Sequence, residues 1–159
     1  MKALVLSDSH GDTEALSHII SSNIHAVGHV IHLGDGCGDM ALFSYRYPEV
    51  SFHVVSGNCD CAPAFPEKRI AEIGGKKILI AHGHRYGVKT SYDRICYAAQ
   101  EAGADICLFG HTHVPVTFEY EGILFMNPGA VCARGNGRPQ YGIIDFTDEP
   151  PNTIISNIT

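Results

Sequence analysis

Apolar residues along the first third of the chain follow two spacings, and these predict alternating strands and helices. Residues 2–6 and 29–33 form short apolar runs typical of buried strands, and residues 12–22 carry apolar side chains at the i, i+3, i+4 spacing of a helix. A further helix is predicted over 39–45, and a third strand over 50–56. The resulting βαβαβ order predicts a largely parallel sheet with helical crossover connections.

The pattern changes in the second half of the chain. Residues 68–73 and 76–81 flank a Gly-Gly pair and predict a β-hairpin, which is followed by a helix over 91–102 and a strand over 105–109. The remaining chain predicts short strands without helices, over 116–120, 123–126, 141–146 and 153–158. Parallel units followed by antiparallel strands predict an α/β fold of two packed mixed β-sheets flanked by helices, in one domain spanning 1–159.

Length and composition agree with a globular chain. A chain of 159 residues with 45% hydrophobic and 18% charged residues buries about 70% of its unfolded surface, so it can form a core and a cleft without disulfides. The apolar runs are strand-sized, and the first strand begins at residue 2, so we expect neither a membrane-spanning helix nor a signal peptide.

Charge and cysteine content indicate which binding partners and which cellular compartment suit the chain. The formal net charge is −6 and the basic residues are scattered, which argues against a surface that follows extended nucleic acid. None of the six cysteines forms a CxxC pair, and together with the absence of a leader this favours reduced thiols in the cytoplasm.

Polar residues of the metal-ligand type follow five predicted strands, at the point where each strand ends. They are Asp8, His10, Asp35, Asn58, His82, His111 and His113. In open α/β sheets, ligands bind in the crevice beyond the carboxyl ends of the strands, and oxygen and imidazole donors suit borderline divalent metals. Each motif alone has a plainer interpretation, since Gly34-Asp35 and Gly57-Asn58 fit turns and a lone His82 fits a structural histidine. Their conjunction predicts a metal site.

Five motifs stand in order along the chain: Asp8-x-His10, Gly34-Asp35, Gly57-Asn58, His82-Gly83-His84 and Gly110-His111-x-His113. Together they resemble the calcineurin-like metallophosphoesterases over residues 2 to about 146. The Asn58-Cys59-Asp60 and Asn127-Pro128-Gly129 segments look most like the compact bacterial and archaeal phosphodiesterase branch. The resemblance implies a four-layer α-β-β-α sandwich and a phosphodiesterase that uses hydroxide activated between two divalent metal ions.

The resemblance also implies roles for individual residues. Asp8, His10 and His113 would hold one ion, Asn58, His82 and His111 the other, and Asp35 would bridge both. Manganese is expected because oxygen donors contribute substantially, while iron, nickel, cobalt and zinc remain open. The implied catalytic residues are Asp35, Asn58, His10 and His84.

One position departs from the pattern of the superfamily. Many members have a histidine directly after the asparagine, and this chain has Cys59, which leaves the source of the leaving-group proton open. His84 is one candidate donor. The candidate substrate-binding residues are Cys59, Asp60, His84 and Tyr86. His84 and Tyr86 either line a phosphate pocket or order their loop, and residues 134–138 either bind phosphate through arginine or form a solvated loop.

Three functions remain open. A small phosphodiester or nucleotide-like substrate is expected, without a membrane partner, and a homo-oligomer is compatible with the closing antiparallel strands. The alternatives are a phosphomonoesterase or protein phosphatase, and a non-catalytic scaffold like the eukaryotic coat subunit that resembles this branch. All seven expected ligand positions are filled with coordinating residue types, which favours an enzyme over a scaffold.

Overall fold

The computed structural model describes residues 1–61, 65–133 and 137–158, which form ten strands and three α-helices. The strands are β1 (Lys2–Leu6), β2 (His29–His32), β3 (Ser51–Val54), β4 (Lys68–Ile73), β5 (Lys76–Ala81), β6 (Ile106–Leu108), β7 (Val116–Tyr120), β8 (Ile123–Asn127), β9 (Gln140–Asp145) and β10 (Asn152–Asn157). The helices are α1 (Thr13–Asn23), α2 (Met40–Arg46) and α3 (Asp93–Ala102). Short 3-10 turns occupy Ile24–Ala26, Cys37–Asp39 and His84–Tyr86.

The strands form two five-stranded mixed sheets. The first has the order β10-β9-β1-β2-β3, in which β1, β2 and β3 are parallel and β9 and β10 are antiparallel to their neighbours. The second has the order β4-β5-β6-β8-β7, in which β5, β6 and β8 are parallel and the two outer strands are antiparallel. The predicted fold of two mixed sheets with flanking helices is confirmed.

Strand β1 shows how the layers are held together, because its alternate side chains enter different cores. Leu4 and Leu6 pack with α1 and α2, whereas Ala3 and Val5 pack against the second sheet, and all four are fully buried. A third core, which includes Phe125, lies between the second sheet and α3. The layer order is therefore α-β-β-α, and sheets buried on both faces account for the nearly continuous apolar runs of the central strands.

The boundaries of several elements differ by one or a few residues from the sequence predictions. The helix predicted over 39–45 begins as a 3-10 turn and continues as α2, while β8 extends to Asn127 and β10 begins at Asn152. The predicted hairpin is confirmed, since Gly74 and Gly75 both have positive φ in the turn between β4 and β5. Ile143 on β9 is only partly buried, and it packs against the core between the first sheet and α1 and α2.

Two further sequence predictions concern membrane-spanning helices and the segment at residues 134–138. Among the described residues, no helix is long and apolar enough to cross a membrane. Residues 134–136 of the segment considered for phosphate binding lie outside the described residues, so its role stays a prediction.

Strand β2 ends at a fully buried histidine that joins the sheet to the loops after β1 and β2. The Gly34 N–H donates to His32 Nδ1 at 3.2 Å, so the ring proton resides on Nε2, which lies 3.3 Å from Ser9 Oγ. Burial lowers the pKa of His32 from 6.5 to about 4, because a protonated ring there would lose its hydration.

We expect the free energy of unfolding to fall as the pH drops from 6.5 towards about 4. In this range the unfolded chain takes up a proton at His32 and the folded chain does not, which costs up to about 1.4 kcal/mol per pH unit. The stability difference between the wild type and His32→Asn should therefore shrink with falling pH in urea unfolding with chelator present. His18→Asn, at an exposed position on α1, is the control; a pH-independent difference for His32→Asn would contradict the assignment.

Candidate metal centre

The residues predicted as ligands come from loops that follow five strand ends. Asp8 and His10 follow β1, Asp35 follows β2, and Asn58 follows β3 in the first sheet. From the second sheet, His82 follows β5, and His111 and His113 follow β6. Because β1 to β3 run parallel to one another, as do β5 and β6, each sheet presents its loops at one edge.

The backbone at these loops is unusual. Among the described residues, six other than glycine have positive φ, and five of them are predicted ligands: Asp8, His10, Asp35, His111 and His113. A non-glycine residue in this region costs of order 1 kcal/mol or more and persists only when its surroundings impose it. Such a concentration of strain in predicted ligands indicates that the loops are shaped to direct these side chains to one place.

One group of donor atoms forms around Asp8. Oδ1 of this carboxylate lies 3.1 Å from His113 Nε2 and 3.7 Å from His10 Nε2. The two imidazole nitrogens are themselves 3.2 Å apart. The structure therefore brings together the three side chains that were expected to hold the first ion.

A second group forms around His82. Its Nε2 lies 3.3 Å from Asp35 Oδ2 and 3.2 Å from His111 Nδ1. The same Asp35 oxygen is 3.7 Å from His10 Nε2, so this carboxylate lies between the two groups. His82 Nε2 is also 3.9 Å from Asp8 Oδ1, which places all six side chains in one continuous cluster.

The hydrogen bonds of His82 prepare it to act as a ligand. Its Nδ1 lies 2.8 Å from the carbonyl oxygen of Leu33, which can only accept a hydrogen bond, so Nδ1 carries the proton. Burial disfavours the protonated ring, but hydrogen bonding to Asp35 and the charges of Asp8 and Asp35 outweigh burial and raise the pKa of His82. A cation that displaces the Nε2 proton would find this nitrogen directed towards Asp35 and His111. Metal-binding histidines are usually oriented in this way by a hydrogen bond at the other ring nitrogen.

Asp8 supplies the direct test of whether a cation fits. The side chain is fully buried, and its Oδ2 accepts hydrogen bonds from the Ser7 hydroxyl and, at 3.0 Å, from the His111 N–H. Its Oδ1 is buried but accepts no hydrogen bond within the described part of the chain. A buried carboxylate oxygen that accepts no hydrogen bond is costly, and a divalent cation between it and the neighbouring imidazoles would compensate it.

The charge states of the carboxylates agree with cation binding. Burial raises the pKa of Asp35, but hydrogen bonding to His82 and to the Cys59 N–H outweighs burial and keeps the pKa well below the ordinary value. The pKa of Asp8 is also lowered, since its interactions with His113, His82 and Ser7 outweigh desolvation. Burial and repulsion by His82 lower the pKa of His111 to about 4. The cluster thus combines ionised oxygen donors with a neutral imidazole.

Asn58 and Cys59 occupy the exposed side of the cluster. The Asn58 side-chain amide donates to Cys59 Sγ at 3.3 Å, and its predicted role as a ligand stays a prediction. The Cys59 N–H donates to Asp35 Oδ1 at 2.8 Å, and a donor atom of Cys59 lies within 4.8 Å of donors on Asp35 and His10. Cys59 therefore adjoins the predicted ligands on their exposed side, and its predicted role in substrate binding stays a prediction.

Asp60 has contacts that its sequence position did not suggest. Its carboxylate accepts hydrogen bonds from four backbone N–H groups at 2.7 to 3.1 Å, those of Asp35, Gly36, Cys37 and Gly57. These bonds tie the loop after β2 to the loop after β3. The expectation that Asp60 binds substrate stays a prediction, but the observed contacts make it a positioning residue for Asp35.

His84 and Tyr86 differ in their distance from the cluster. The His84 ring centroid is 5.4 Å from that of His82 and 6.2 Å from that of His111, and its buried Nδ1 has no hydrogen-bond partner among the described residues. Tyr86 packs against the core between the second sheet and α3. His84 thus borders the site, whereas the contacts of Tyr86 are those of a residue that orders the loop.

Two residues next to the predicted ligands were not identified from the sequence as part of the site. Asn127 is fully buried, and its side-chain amide donates to the Gly110 carbonyl oxygen at 2.9 Å and to Thr112 Oγ1 at 3.0 Å, which fixes the loop that carries His111 and His113. Cys132 lies with His10 and His113 in one group of donor atoms within 4.8 Å. Asn127 had a sequence signal, because it begins the Asn-Pro-Gly motif. Cys132 lies five residues after Asn127, and no spacing in the sequence relates it to the predicted ligands.

Comparison with known proteins agrees with this geometry. Residues 1–149 match the family model described as the calcineurin-like phosphoesterase superfamily domain. The chain belongs to this superfamily. Its members are divalent-metal-dependent phosphoesterases, and the groups of His and Asp donors described above are candidate metal-binding groups.

Individual relatives extend over nearly the whole chain. "Probable metallophosphoesterase YsnB" of Bacillus subtilis (strain 168) is 39% identical over 94% of this chain and 86% of its own length. "Phosphodiesterase MJ0936" of Methanocaldococcus jannaschii is 28% identical over 98% of this chain and 99% of its own. The crystal structure of a predicted phosphoesterase from Streptococcus pneumoniae TIGR4 superposes with a TM-score of 0.80 at 30% identity, covering 99% of this chain and 88% of that one.

Gly57 offers a test of how tightly Asp35 is held. A Cβ at this position would overlap Asp35 Oδ1 and lie 2.7 Å from the Asp35 backbone nitrogen. We expect Gly57→Ala to displace the carboxylate, lowering the affinity for Mn²⁺ by at least about tenfold and stability by about 1–3 kcal/mol. Calorimetric metal titration and urea unfolding measure both quantities.

Gly38→Ala is the matched control, because a Cβ on Gly38 meets no atom within 4 Å. It should leave the affinity within about twofold of the wild type. Equal affinities for Gly57→Ala and Gly38→Ala would show that the close approach to Asp35 does not matter for the metal.

Proposed function

We propose that this protein is a divalent-metal-dependent phosphodiesterase with a dinuclear centre. The proposal rests on one observation above all: two groups of donor atoms, around Asp8 and around His82, share the Asp35 carboxylate between them. A carboxylate is suited to that position, since its two oxygens act only as acceptors when it is ionised.

The residues divide between two ions in this proposal. Asp8, His10 and His113 would hold one, His82, His111 and Asn58 would hold the other, and Asp35 would be available to both. When bound, two divalent ions would supply positive charge to a phosphoryl group and make water acidic enough to attack it at neutral pH. Manganese is the proposed ion because oxygen donors supply three of the seven proposed ligands. The six cysteines form no disulfide within the described residues, which fits the proposed location in a reducing cytoplasm.

The protein contributes orientation and electrostatics. Asp8 and His82 are fully buried, so their charges and dipoles act in a medium of low dielectric constant and need little reorganisation during reaction. Asp60 and the Cys59 N–H fix Asp35, while Asn127 fixes the loop of His111 and His113. The catalytic atoms are in this way held by residues whose own hydrogen bonds are satisfied.

A phosphodiester is the proposed substrate class because of the relative named as a phosphodiesterase and because of Cys59. A thiol transfers a proton to a leaving alkoxide poorly compared with an imidazolium, which favours esters whose leaving groups need little protonation. His84 is the nearest additional histidine to His82 and His111, and we assign it the role of proton donor where one is needed.

We expect chelator-stripped protein to regain activity towards bis(p-nitrophenyl) phosphate when Mn²⁺ is restored, with lower activity towards p-nitrophenyl phosphate. Asp35→Asn should reduce the diesterase rate by more than about 100-fold, since it weakens both ions, and His113→Ala should empty mainly one position. Steady-state kinetics together with metal analysis of each variant measure these effects. Asp93→Asn, on α3 away from the cluster, is the control.

Both ligand variants should fold, because the cores lie between the layers rather than in the loops. Full activity in either variant would refute the ligand assignment. Two ions bound per chain without turnover of either ester would favour a non-catalytic scaffold of the same fold, and a faster monoesterase would favour a phosphomonoesterase.

Replacement of Cys59 tests the origin of the substrate preference. Cys59→His should accelerate hydrolysis of diesters with basic leaving groups more than those with acidic ones, because an imidazolium can protonate the departing oxygen. The measurement is the slope of log kcat/KM against leaving-group pKa, for wild type and variant in the same metal. An unchanged slope would show that this position does not deliver the proton.

A further inference from the structure

The donor group around Asp8 contains a sulfur atom in addition to oxygen and nitrogen. Cys132 Sγ and donor nitrogens of His10 and His113 all lie within 4.8 Å of one another. Ligands of a common ion, bound at about 2.0–2.3 Å, stand up to about 4.4 Å apart, so only a small adjustment separates this arrangement from coordination.

The backbone directs this cysteine towards the ligands. The Val131 N–H donates to the Ser7 carbonyl oxygen at 2.9 Å, and the Cys132 N–H donates to the Asp8 carbonyl oxygen at 3.1 Å. This segment therefore runs beside the chain that carries Asp8. Val131 enters the core with α1 and α2, and Cys132, its neighbour, is buried in the group with His10 and His113.

An independent feature of the same group points to a bound cation. Asp8 Oδ1 is fully buried, accepts no hydrogen bond from the described residues, and lies 3.1 Å from His113 Nε2. A cation that compensates this oxygen would lie next to His113, and hence within reach of Cys132.

We propose that Cys132 is a thiolate ligand of the ion held by Asp8, His10 and His113, and that it makes this position prefer thiophilic ions such as Zn²⁺, Co²⁺ or Fe²⁺ over Mn²⁺. The proposal rests on the proposed dinuclear centre and adds a difference between its two positions. Around His82 the grouped donors are carboxylate and imidazole, which suit Mn²⁺ better than thiolate does. The thiol proton is released to solvent when the sulfur binds the ion, because thiols coordinate in deprotonated form.

Cys59 is the alternative sulfur ligand. Its donor atom groups with Asp35 and His10, but Cys59 is exposed, whereas only 4% of Cys132 is accessible. A buried thiol beside two imidazoles loses less hydration on coordination than an exposed one, and it is held in place by its backbone hydrogen bond to Asp8. Its burial and its backbone hydrogen bond favour Cys132 over Cys59 as the sulfur ligand.

Cobalt spectroscopy tests the ligand directly and does not depend on turnover. Chelator-stripped wild-type protein titrated with Co²⁺ under reducing conditions should develop a near-ultraviolet sulfur-to-cobalt charge-transfer band in addition to visible d–d bands. Cys132→Ser should lose the charge-transfer band and keep d–d bands, while Cys59→Ser should retain both. In competition titrations, the preference for Zn²⁺ over Mn²⁺ should fall by at least about tenfold in Cys132→Ser.

The outcomes separate this proposal from the one on which it rests. Bound Co²⁺ with d–d bands but no charge-transfer band in the wild type would overturn thiolate ligation and leave the metal centre intact. A band lost in Cys59→Ser and kept in Cys132→Ser would overturn it in favour of Cys59. Failure of the wild type to bind Co²⁺ at all would overturn both the metal centre and its sulfur ligand.

Discussion

The site depends on a close gathering of donor atoms, which the surrounding loops hold together in one buried cluster. His10 Nε2 and His113 Nε2 are 3.2 Å apart, and His82 Nε2 and His111 Nδ1 are equally close. Asp8 Oδ1 is buried beside them and accepts no hydrogen bond from the part of the chain that the structure describes. Within one pair of imidazoles, a single proton shared as a hydrogen bond removes the repulsion between the two nitrogen lone pairs. The cluster, however, contains two such pairs and two ionised carboxylates, and metal ions balance these lone pairs and negative charges better than protons do. The surrounding fold serves to impose this arrangement.

The constraint is imposed by backbone hydrogen bonds more than by side-chain packing. Asp60 joins the loops after β2 and β3 through four N–H groups, which holds Asp35 against the Cys59 N–H. Glycine at position 57 permits that approach, since a Cβ there would overlap the carboxylate. Positive φ values at five predicted ligands show that the loops store backbone strain, and the buried sheets supply the stability that maintains it.

Sequence reasoning predicted the two mixed sheets and their flanking helices, because short apolar runs and helical spacing report burial directly. It also indicated that seven side chains follow strand ends, and the structure brings Asp8, His10, Asp35, His82, His111 and His113 into contact distance of one another. It assigned Asp60 to substrate, whereas its observed partners are backbone N–H groups. No spacing rule places Cys132, since its position depends on pairing between residues 131–132 and 7–8, more than 120 residues away in the chain. Contacts of that range arise only from the assembled sheets.

Burial across the site decides how a substrate can reach it. Asp8 and His82 are fully buried, His10, His111 and His113 are partly exposed, and Asn58 and Cys59 are exposed. If the proposed activity is correct, an ester would approach from the side of Asn58 and Cys59, with its phosphoryl oxygens directed towards the partly exposed histidines. In that proposal the leaving group would remain near Cys59, His84 or solvent, because Asp8 on the opposite side is fully buried. The charged groups are thus concentrated where water is excluded. The choice between substrates would then depend on the few exposed residues at the edge of the site, such as Asn58 and Cys59.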